Sequence, residues 1–360
     1  MTRVFISDCE GPISKNDNAF ETTSHFVPEG EKLFTVISKY DDALAYVLKR
    51  PNHKAGDTLK LVLPFLRAYN VSDGAMREFS AHNLILIAGA KETLQHAGNV
   101  APSFIVSTSY EHYIRAVCRA LDFPYKNTYC TKLELDKYYV PKNEQARLKE
   151  IAREIAQMPM LEVSADKKSM QDFSTRDQET IGRLDEIFGK EIANTEAGKI
   201  YCEVDPMGGV EKAEAVRDIT RKLGVSLSDA LYVGDSITDA DAFNLVRTGN
   251  GLAVSFNGNE FAVKNAEIAV LSENSIATAV ISDVFIGFGK AQALATANDW
   301  NRESLAKSLV NRALLDRLFK LYPDELPKVK IITHGNMETL AEESSQFRER
   351  VRGEAIGRLG

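Results

Sequence analysis

Six short apolar runs, each bounded by polar or turn residues, constrain the fold of this chain most strongly. They are RVFIS (3–7), SFIVST (103–108), NTYCT (127–131), ALYVG (230–234), GLAVSF (251–256) and AEIAVL (266–271). Each run is almost continuously apolar, which is typical of strands covered by helices on both faces of a sheet. Helical patterns separate several of them, and one of these, EKAEAVRDITRKLG (211–224), ends on a glycine suited to a helix C-cap. The alternation predicts an α/β fold, a Rossmann-like three-layer core with a parallel sheet and right-handed crossovers.

Two stretches interrupt this alternation. Residues 14–100 are mostly helical in pattern, and residues 134–206 contain two charged amphipathic helical patterns followed by a strand-like KIYCEV. We interpret the first as a helical cap inserted after the first strand, and the second as a smaller insertion of mixed α and β character. The α/β core is then expected to comprise three segments: 1–13, 101–133 and 207–275.

Residues 276–360 are expected to form a helical extension of the core. The segment ESLAKSLVNRALLDRLFKLY (303–322) reads as one helix with Leu305, Leu309, Leu314 and Leu318 on one face. That apolar face either packs on the core or serves as a docking surface for a second copy or another partner. A more polar helix, ending near Gly353, follows it.

Composition excludes several classes of protein. A net charge of −7, from 51 acidic and 44 basic residues, argues against a nucleic-acid binder, which would normally carry a basic excess. The four cysteines are scattered without a CxxC pair, so neither a zinc site nor a disulfide framework is indicated, and reduced thiols in the cytoplasm are the simple interpretation. No apolar run reaches the ~18 residues of a transmembrane helix, and we expect neither a signal peptide nor membrane insertion.

Chemistry-bearing residues follow the predicted strands. Asp8 and Glu10 come directly after the first strand, and the segment DSITD after the ALYVG strand supplies Asp235 and Asp239. Because ligands bind open parallel sheets at the carboxyl ends of the strands, we expect these acids to meet at one edge. Clustered carboxylates repel one another unless a cation holds them, and a hard divalent ion such as Mg²⁺ suits oxygen ligands. A lysine, Lys212, starts the nearby helical pattern, so the site would favour an anionic group such as phosphoryl.

The order of these motifs resembles the haloacid dehalogenase superfamily. The chain carries an apolar strand followed by Asp-x-Glu, a second strand ending in Ser or Thr, a lysine, and then GDSITD in the GDxxxD pattern. The resemblance covers the predicted core, about residues 3–271, and implies a phosphatase that hydrolyses a small-molecule phosphate monoester through an aspartyl-phosphate intermediate. It also implies Mg²⁺ as the cofactor and an insertion that closes over the strand ends to supply specificity.

The resemblance also implies roles for individual residues. Asp8 would be the nucleophile, and Glu10 would be the acid that protonates the leaving oxygen and later the base that activates water. The phosphoryl group would be bound by Ser107, or by Thr108 one residue on, together with Lys212 and Gly11. The metal ligands would be Asp8, the backbone carbonyl of Glu10, Asp235 and, directly or through water, Asp239.

The first motif departs from the common pattern at two positions. Glu10 stands where most phosphatases of the superfamily have Asp, which adds one methylene and moves the carboxyl group. Pro12 stands where Thr or Val is usual, so the turn loses an N–H donor and is stiffened. The resulting DxEGP pattern is similar to a group of archaeal members of the superfamily, some of them labelled as a subunit of an energy-converting hydrogenase.

Two other functions remain open at this stage. One is a phosphotransferase or mutase of the same superfamily, which would pass the phosphoryl group to an acceptor other than water. The other is a non-catalytic interaction subunit of a larger complex that retains the fold and uses the C-terminal helices for docking. Release of inorganic phosphate from a panel of esters separates these functions.

Overall fold

The fold is centred on a seven-stranded sheet. A computed structural model describes residues 2–164 and 167–359. The strand order is β3-β2-β1-β4-β5-β6-β7, and every neighbouring pair is parallel except β6 and β7, which are antiparallel. The strands are β1 (Val4–Ser7), β2 (Ser103–Tyr110), β3 (Thr128–Thr131), β4 (Ala230–Gly234), β5 (Leu252–Phe256), β6 (Ile268–Leu271) and β7 (Lys328–Ile331). The six strands predicted from the sequence are confirmed, and β7 was missed.

The strand order places β1 in the middle of the sheet. It pairs with β2 on one side and with β4 on the other, and Ser7 is opposite Val233 in the β1–β4 register. From β1 the chain passes through β2 and β3 on one side and then crosses to β4 on the other side. The carboxyl end of β1 is therefore a topological switch point, where a crevice forms. Residues that follow β1 and β4 necessarily meet at that edge.

Helices cover both faces of the sheet. The helix α5 (Ala90–Val100) packs on the sheet and precedes β2 in the chain. The helices that pack on the sheet and follow β2 in the chain, before β6, are α6 (Glu111–Leu121), α10 (Gly209–Leu223), α11 (Ala240–Thr248) and α12 (Glu260–Asn265). The C-cap of α10 is Gly224, whose φ of +65° lies in the left-handed region that glycine enters at low cost. The predicted helix and its terminator are confirmed.

The two insertions form one helical body, which we call the cap. Its helices are α1 (Asn18–Phe26), α2 (Gly30–Asp42), α3 (Thr58–Ala68), α4 (Asp73–His82), α7 (Lys142–Ala156), α8 (Thr175–Glu186) and α9 (Lys199–Glu203). One hydrophobic cluster joins residues of both insertions, with Leu33 and Phe65 from the first and Ile151 and Ile200 from the second. Neither insertion buries its apolar face alone, so the second insertion completes the core of the first. The helix α5, by contrast, packs against the sheet side and not in the cap.

The segment KIYCEV was expected to be strand-like, and this prediction was wrong. Residues Lys199–Glu203 form the short helix α9, and Ile200 packs in the cap core. The β-branched and aromatic residues suggested a strand by propensity alone, but the segment has no neighbouring strand in the cap to pair with, and packing decided its conformation.

The region after β6 is helical with one strand. It comprises α13 (Ile276–Phe288), α14 (Lys290–Asn298), α15 (Arg302–Ala306), α16 (Arg312–Leu321), β7, α17 (Met337–Arg352) and α18 (Glu354–Gly357). The single helix expected over 303–322 is divided into α15 and α16, and Leu309 in the break is 61% exposed. Because Leu305, Leu314 and Leu318 are buried against the core, they cannot form the docking face considered from the sequence.

Among the described residues, no helix has both the length and the apolar character needed to cross a membrane.

Candidate active site

The carboxylate of Asp8 and the ammonium of Lys212 form the centre of the site. Asp8 follows β1 directly, and its Oδ2 lies 2.7 Å from Nζ of Lys212, which sits in the first turn of α10. The Oδ1 atom of Asp8 accepts a hydrogen bond from the backbone N–H of Cys9 at 2.6 Å. Lys212 is fully buried. Burial opposes the charge of Lys212, but the Asp239 and Asp8 carboxylates outweigh it and raise the pKa of this amine.

The same lysine also holds Asp239. Nζ of Lys212 lies 2.8 Å from Oδ1 of Asp239, which also accepts from the Tyr232 hydroxyl at 2.7 Å. The other oxygen, Oδ2, accepts from the backbone N–H groups of Asp235 and Ser236 at 2.9 and 3.0 Å. Both oxygens of Asp239 are thus engaged in shaping the loop after β4 and orienting Lys212.

Asp235 lies against Gly11, in the turn that follows β1. A Cβ placed on Gly11 would be 2.0 Å from Oδ2 of Asp235, and Gly11 has a φ of +100°. Only glycine both tolerates that backbone conformation and leaves room for the acid. The turn after β1 therefore requires glycine because the second acid packs directly on it.

Two arginines from α17 contact Asp235. Arg348 pairs with Oδ2 of Asp235 through Nη1 and also donates to the Asp235 carbonyl at 3.2 Å, and Nη1 of Arg352 lies 3.0 Å from the same Oδ2. Arg348 is only 3% exposed. Burial, together with the like charge of Arg352, lowers the pKa of Arg348 below its ordinary value.

Glu10 lies at the start of the cap, beside Asp17. Its Oε1 accepts the backbone N–H of Asn18 at 2.7 Å. Burial, reinforced by the neighbouring Asp17 carboxylate, raises the pKa of Glu10 to about 8. Glu10 therefore holds a proton at neutral pH and can donate it. Burial likewise raises the pKa of Asp8 to about 6 against the opposing effect of Lys212, so Asp8 is the more acidic of the two.

The second strand brings Ser107 and Thr108 to the same edge. The pairing of β2 with β3 is irregular between Val106 and Tyr110, so the strand bends where these residues lie. Thr108 lines the cavity, and its buried Oγ1 has no hydrogen-bond partner among the described residues. Ser107 is 1% exposed, and its Oγ accepts the N–H of Ser109 at 3.3 Å. Of the two residues, Thr108 is the one that lines the cavity.

A cavity of about 100 Å³ lies between the sheet edge and the cap. The core contributes Asp8, Glu10, Thr108 and Asp235 to its wall, and the cap contributes residues of α2 and the segment around Gly56. The backbone of the cap comes close to β2 here, because a Cβ on Gly56 would lie 3.1 Å from the methyl group of Thr108. The cap therefore closes directly over the acids.

The donor set suits a divalent metal ion. Ligand oxygens of Asp8, Asp235 and Asp239 all lie within 4.8 Å of one another, and all three residues are buried. Hard cations such as Mg²⁺ prefer such oxygen ligands. The side-chain hydrogen bonds that Asp235 makes with described residues fall on Oδ2, which leaves Oδ1 for a metal ion.

The structure thus brings together all the site residues singled out in the sequence. Asp8, Lys212 and Asp239 are in direct contact, Asp235 packs on Gly11, and Glu10 and Thr108 line the cavity, while Ser107 lies below it. Sequence analysis missed Arg348, Arg352 and Asp17. Arg348 is 113 residues from Asp235 in sequence, and a pair of arginines four apart on a polar helix gives no local signal of an active site.

Comparisons with known proteins identify the family and support the fold. A family model described as haloacid dehalogenase-like hydrolase matches residues 94–281. The solved structure of gene product AF1437 from Archaeoglobus fulgidus is 26% identical, with a TM-score of 0.79 over 100% of this chain and 99% of that one. A phosphoserine phosphatase in apo form is 12% identical, with a TM-score of 0.46 over 81% of this chain and 100% of its own; that likeness is too weak to carry an argument.

No curated protein sequence matches the chain. The family model covers more than half of the 360 residues; it includes Ser107, Lys212 and Asp235, whereas Asp8 and Glu10 precede the matched segment. The chain belongs to the haloacid dehalogenase-like hydrolases.

Proposed function

We propose that this protein is a Mg²⁺-dependent phosphatase that hydrolyses a small-molecule phosphate monoester through an aspartyl-phosphate on Asp8. The observation that carries the proposal is the arrangement at one strand end, where Asp8 contacts Lys212 and lies with Asp235 and Asp239 in a buried cluster whose oxygens are within 4.8 Å of one another. Asp8 has a pKa of about 6 and contacts Lys212, whereas Glu10 has a pKa of about 8. A nucleophile that is ionised beside an acid that is protonated is what phosphoryl transfer to a carboxylate requires.

In the first half-reaction, a carboxylate oxygen of Asp8 attacks phosphorus. The bond between Asp8 and phosphorus forms as the bond to the ester oxygen breaks, and Glu10 gives its proton to that oxygen. Lys212 and Thr108 bind non-bridging phosphoryl oxygens, Lys212 by charge and Thr108 through its unpartnered hydroxyl. Positioning and charge stabilisation are the main contributions in such a loose transition state.

In the second half-reaction, Glu10 acts as a carboxylate. It takes a proton from a water molecule whose oxygen attacks phosphorus, the bond to Asp8 breaks, and inorganic phosphate leaves. Glu10 then holds its proton again, ready for the next substrate. The cap limits the site to the water that this step needs.

The metal would be held by Asp8, by Oδ1 of Asp235 and by the Glu10 carbonyl. When bound, Mg²⁺ supplies positive charge that offsets the charge of the phosphoryl oxygens. Asp239 was expected to join this set. Each oxygen of Asp239 already accepts at least two hydrogen bonds, whereas each oxygen of Asp8 accepts one, so we propose that Asp239 acts by orienting Lys212 and the loop after β4.

A panel of phosphate monoesters with Mg²⁺ tests this function. We expect phosphate release from at least one small ester, its loss in Asp8→Asn, and its loss when EDTA removes the metal. Transfer to an added alcohol without phosphate release would identify a phosphotransferase instead. If the wild-type protein releases no more phosphate from any ester than Asp8→Asn does, the protein is not a phosphatase. That result would favour the function of a non-catalytic interaction subunit.

A further inference from the structure

The segment from Met337 to Leu359, which we call the strap, reaches from the sheet edge to the cap. It consists of α17, α18 and the residues after them. The first part of α17 is fixed on the core, because Leu340 and Ala341 pack with Leu271 of β6. Its last turns carry Arg348 and Arg352 to Asp235. The strap therefore belongs to the core at one end and to the site at the other.

The two arginines make further hydrogen bonds, those of Arg352 to the segment that leads into the cap and that of Arg348 within the strap. Arg352 donates to the carbonyls of Lys15 and Asn16, at 2.9 and 2.5 Å, where the chain leaves the core for the cap. Arg348 donates from Nε to the carbonyl of Gly357 at 3.1 Å, which folds the end of the strap back over the site. Leu359 is 4% exposed, lines the cavity and packs in the cap core. The strap thus connects core, site and cap.

With the strap in this position, the protein itself balances the charge of the acids. Three carboxylates, those of Asp8, Asp235 and Asp239, face three cations, Lys212, Arg348 and Arg352. A divalent ion bound among these acids would lie close to two guanidinium charges, because both arginines already pair with Asp235, one of its ligands. Charges this close interact strongly where water is excluded, so the arginines oppose the binding of a metal ion.

The space beneath the strap is also small. A cavity of about 100 Å³ holds a few water molecules. Sites for small molecules usually measure about 300–1,000 Å³. A phosphate ester with an organic group therefore needs the strap or the cap to move.

We propose that the strap is an autoinhibitory latch in which the guanidinium groups of Arg348 and Arg352 take the position of the metal charge at Asp235. This inference rests on the metal site of the proposed function. Metal binding and strap closure are then coupled, because the metal ion and the two guanidinium groups place like charge beside the same carboxylate, Asp235. Each must weaken the other by the same factor.

The first test is Mg²⁺ affinity, measured by calorimetry on the full chain. We expect Arg352→Gln to bind Mg²⁺ several-fold more tightly than the wild type, and Arg348→Gln/Arg352→Gln about ten-fold more tightly. Arg350→Gln is the matched control, since Arg350 lies on the same helix but is exposed, and it contacts Glu273 and the ring of Phe347 at the surface; its affinity should equal that of the wild type. Weaker binding in the Arg352 variant, or no change, overturns the latch.

The second test needs no substitution. Amide hydrogen exchange of residues 345–359 should become faster when the wild-type protein is saturated with Mg²⁺, while exchange in α10 should not. Slower exchange of the strap would mean that it supports the metal, and would overturn the proposal. Both measurements are independent of turnover. If they show a latch but no ester releases phosphate, this inference stands and the proposed phosphatase activity is rejected. If phosphate is released but neither measurement shows a latch, the phosphatase activity stands and this inference is rejected.

Discussion

Nζ of Lys212 lies 2.8 Å from Oδ1 of Asp239 and is fully buried. With Asp8 at 2.7 Å from the same nitrogen, this one ammonium group pairs with two buried carboxylates that follow neighbouring strands. It therefore joins the turn after β1 to the loop after β4. Both the stability of the sheet edge and the orientation of the candidate nucleophile depend on it.

Lys212→Met should destabilise the protein and abolish turnover. Removing one partner of a buried ion pair leaves uncompensated charge and costs about 3–5 kcal/mol. Urea unfolding measures this cost. Lys222→Met is the matched control on the same helix, because Lys222 is 62% exposed and its ion pair with Asp218 lies at the surface; it should change the free energy of unfolding by less than about 1 kcal/mol. Equal losses in the two variants would show that Lys212 has no special place in the site.

Glu10→Gln should lower kcat in a way that depends on the leaving group. The amide cannot give a proton, so hydrolysis of an alkyl phosphate should fall by about 10²–10⁴-fold. A nitrophenyl ester, whose leaving group needs no proton, should lose much less in the first half-reaction. Steady-state and burst kinetics with both esters check this, with exposed Glu31→Gln as control. Identical losses for both esters would argue against Glu10 as the acid.

Gly11→Ala should weaken metal binding and destabilise the fold together. The added Cβ would lie 2.0 Å from Oδ2 of Asp235, and the backbone φ of +100° is strained for alanine. We expect the melting temperature to fall and the Mg²⁺ affinity to drop. Gly98→Ala, inside α5 with no atom within 4 Å of the new methyl group, should instead raise stability by about 0.5–1 kcal/mol. A Gly11→Ala protein with normal metal affinity would show that Asp235 is not held by this contact.

Asp73 should make the cap sensitive to acid. It caps the loop of the second insertion, accepting the N–H groups of Leu135 and Asp136 at 2.9 and 3.0 Å, and it pairs with His112 of α6 at 2.7 Å. Burial acts to raise its pKa, but these hydrogen bonds outweigh burial and lower it. A lowered pKa in the folded state means that Asp73 stabilises the protein above its unfolded pKa of about 4, and that this contribution is lost as pH falls through the folded value.

Urea unfolding at pH 5 and pH 3 tests this expectation. The wild type should lose more stability over that interval than Asp73→Asn does. Surface Glu303→Gln, whose pair with Lys307 is exposed, should behave like the wild type. Parallel pH dependence in wild type and Asp73→Asn would contradict the assigned role.

Local patterns identified the sheet and most of the site. The continuous apolar run of Val4 to Ile6 predicts a doubly covered strand, and the acids after it follow at the point where the run ends. β7 was missed because it is an edge strand in which Lys328 and Lys330 alternate with Val329, so only every second residue is apolar and buried. The segment KIYCEV was misjudged because propensity cannot account for the absence of a neighbouring strand.

The sequence by itself predicted that Asp8, Lys212, Asp235 and either Ser107 or Thr108 would meet at the strand ends, although β2 continues to Tyr110. It could do so because strand ends and helix starts are set by neighbours a few residues away. Only the tertiary structure decided that the two insertions share one core and that Arg348 and Arg352 lie on Asp235. The two arginines are 113 and 117 positions from Asp235, and the energy of such contacts comes from burial and charge pairing that no local pattern contains.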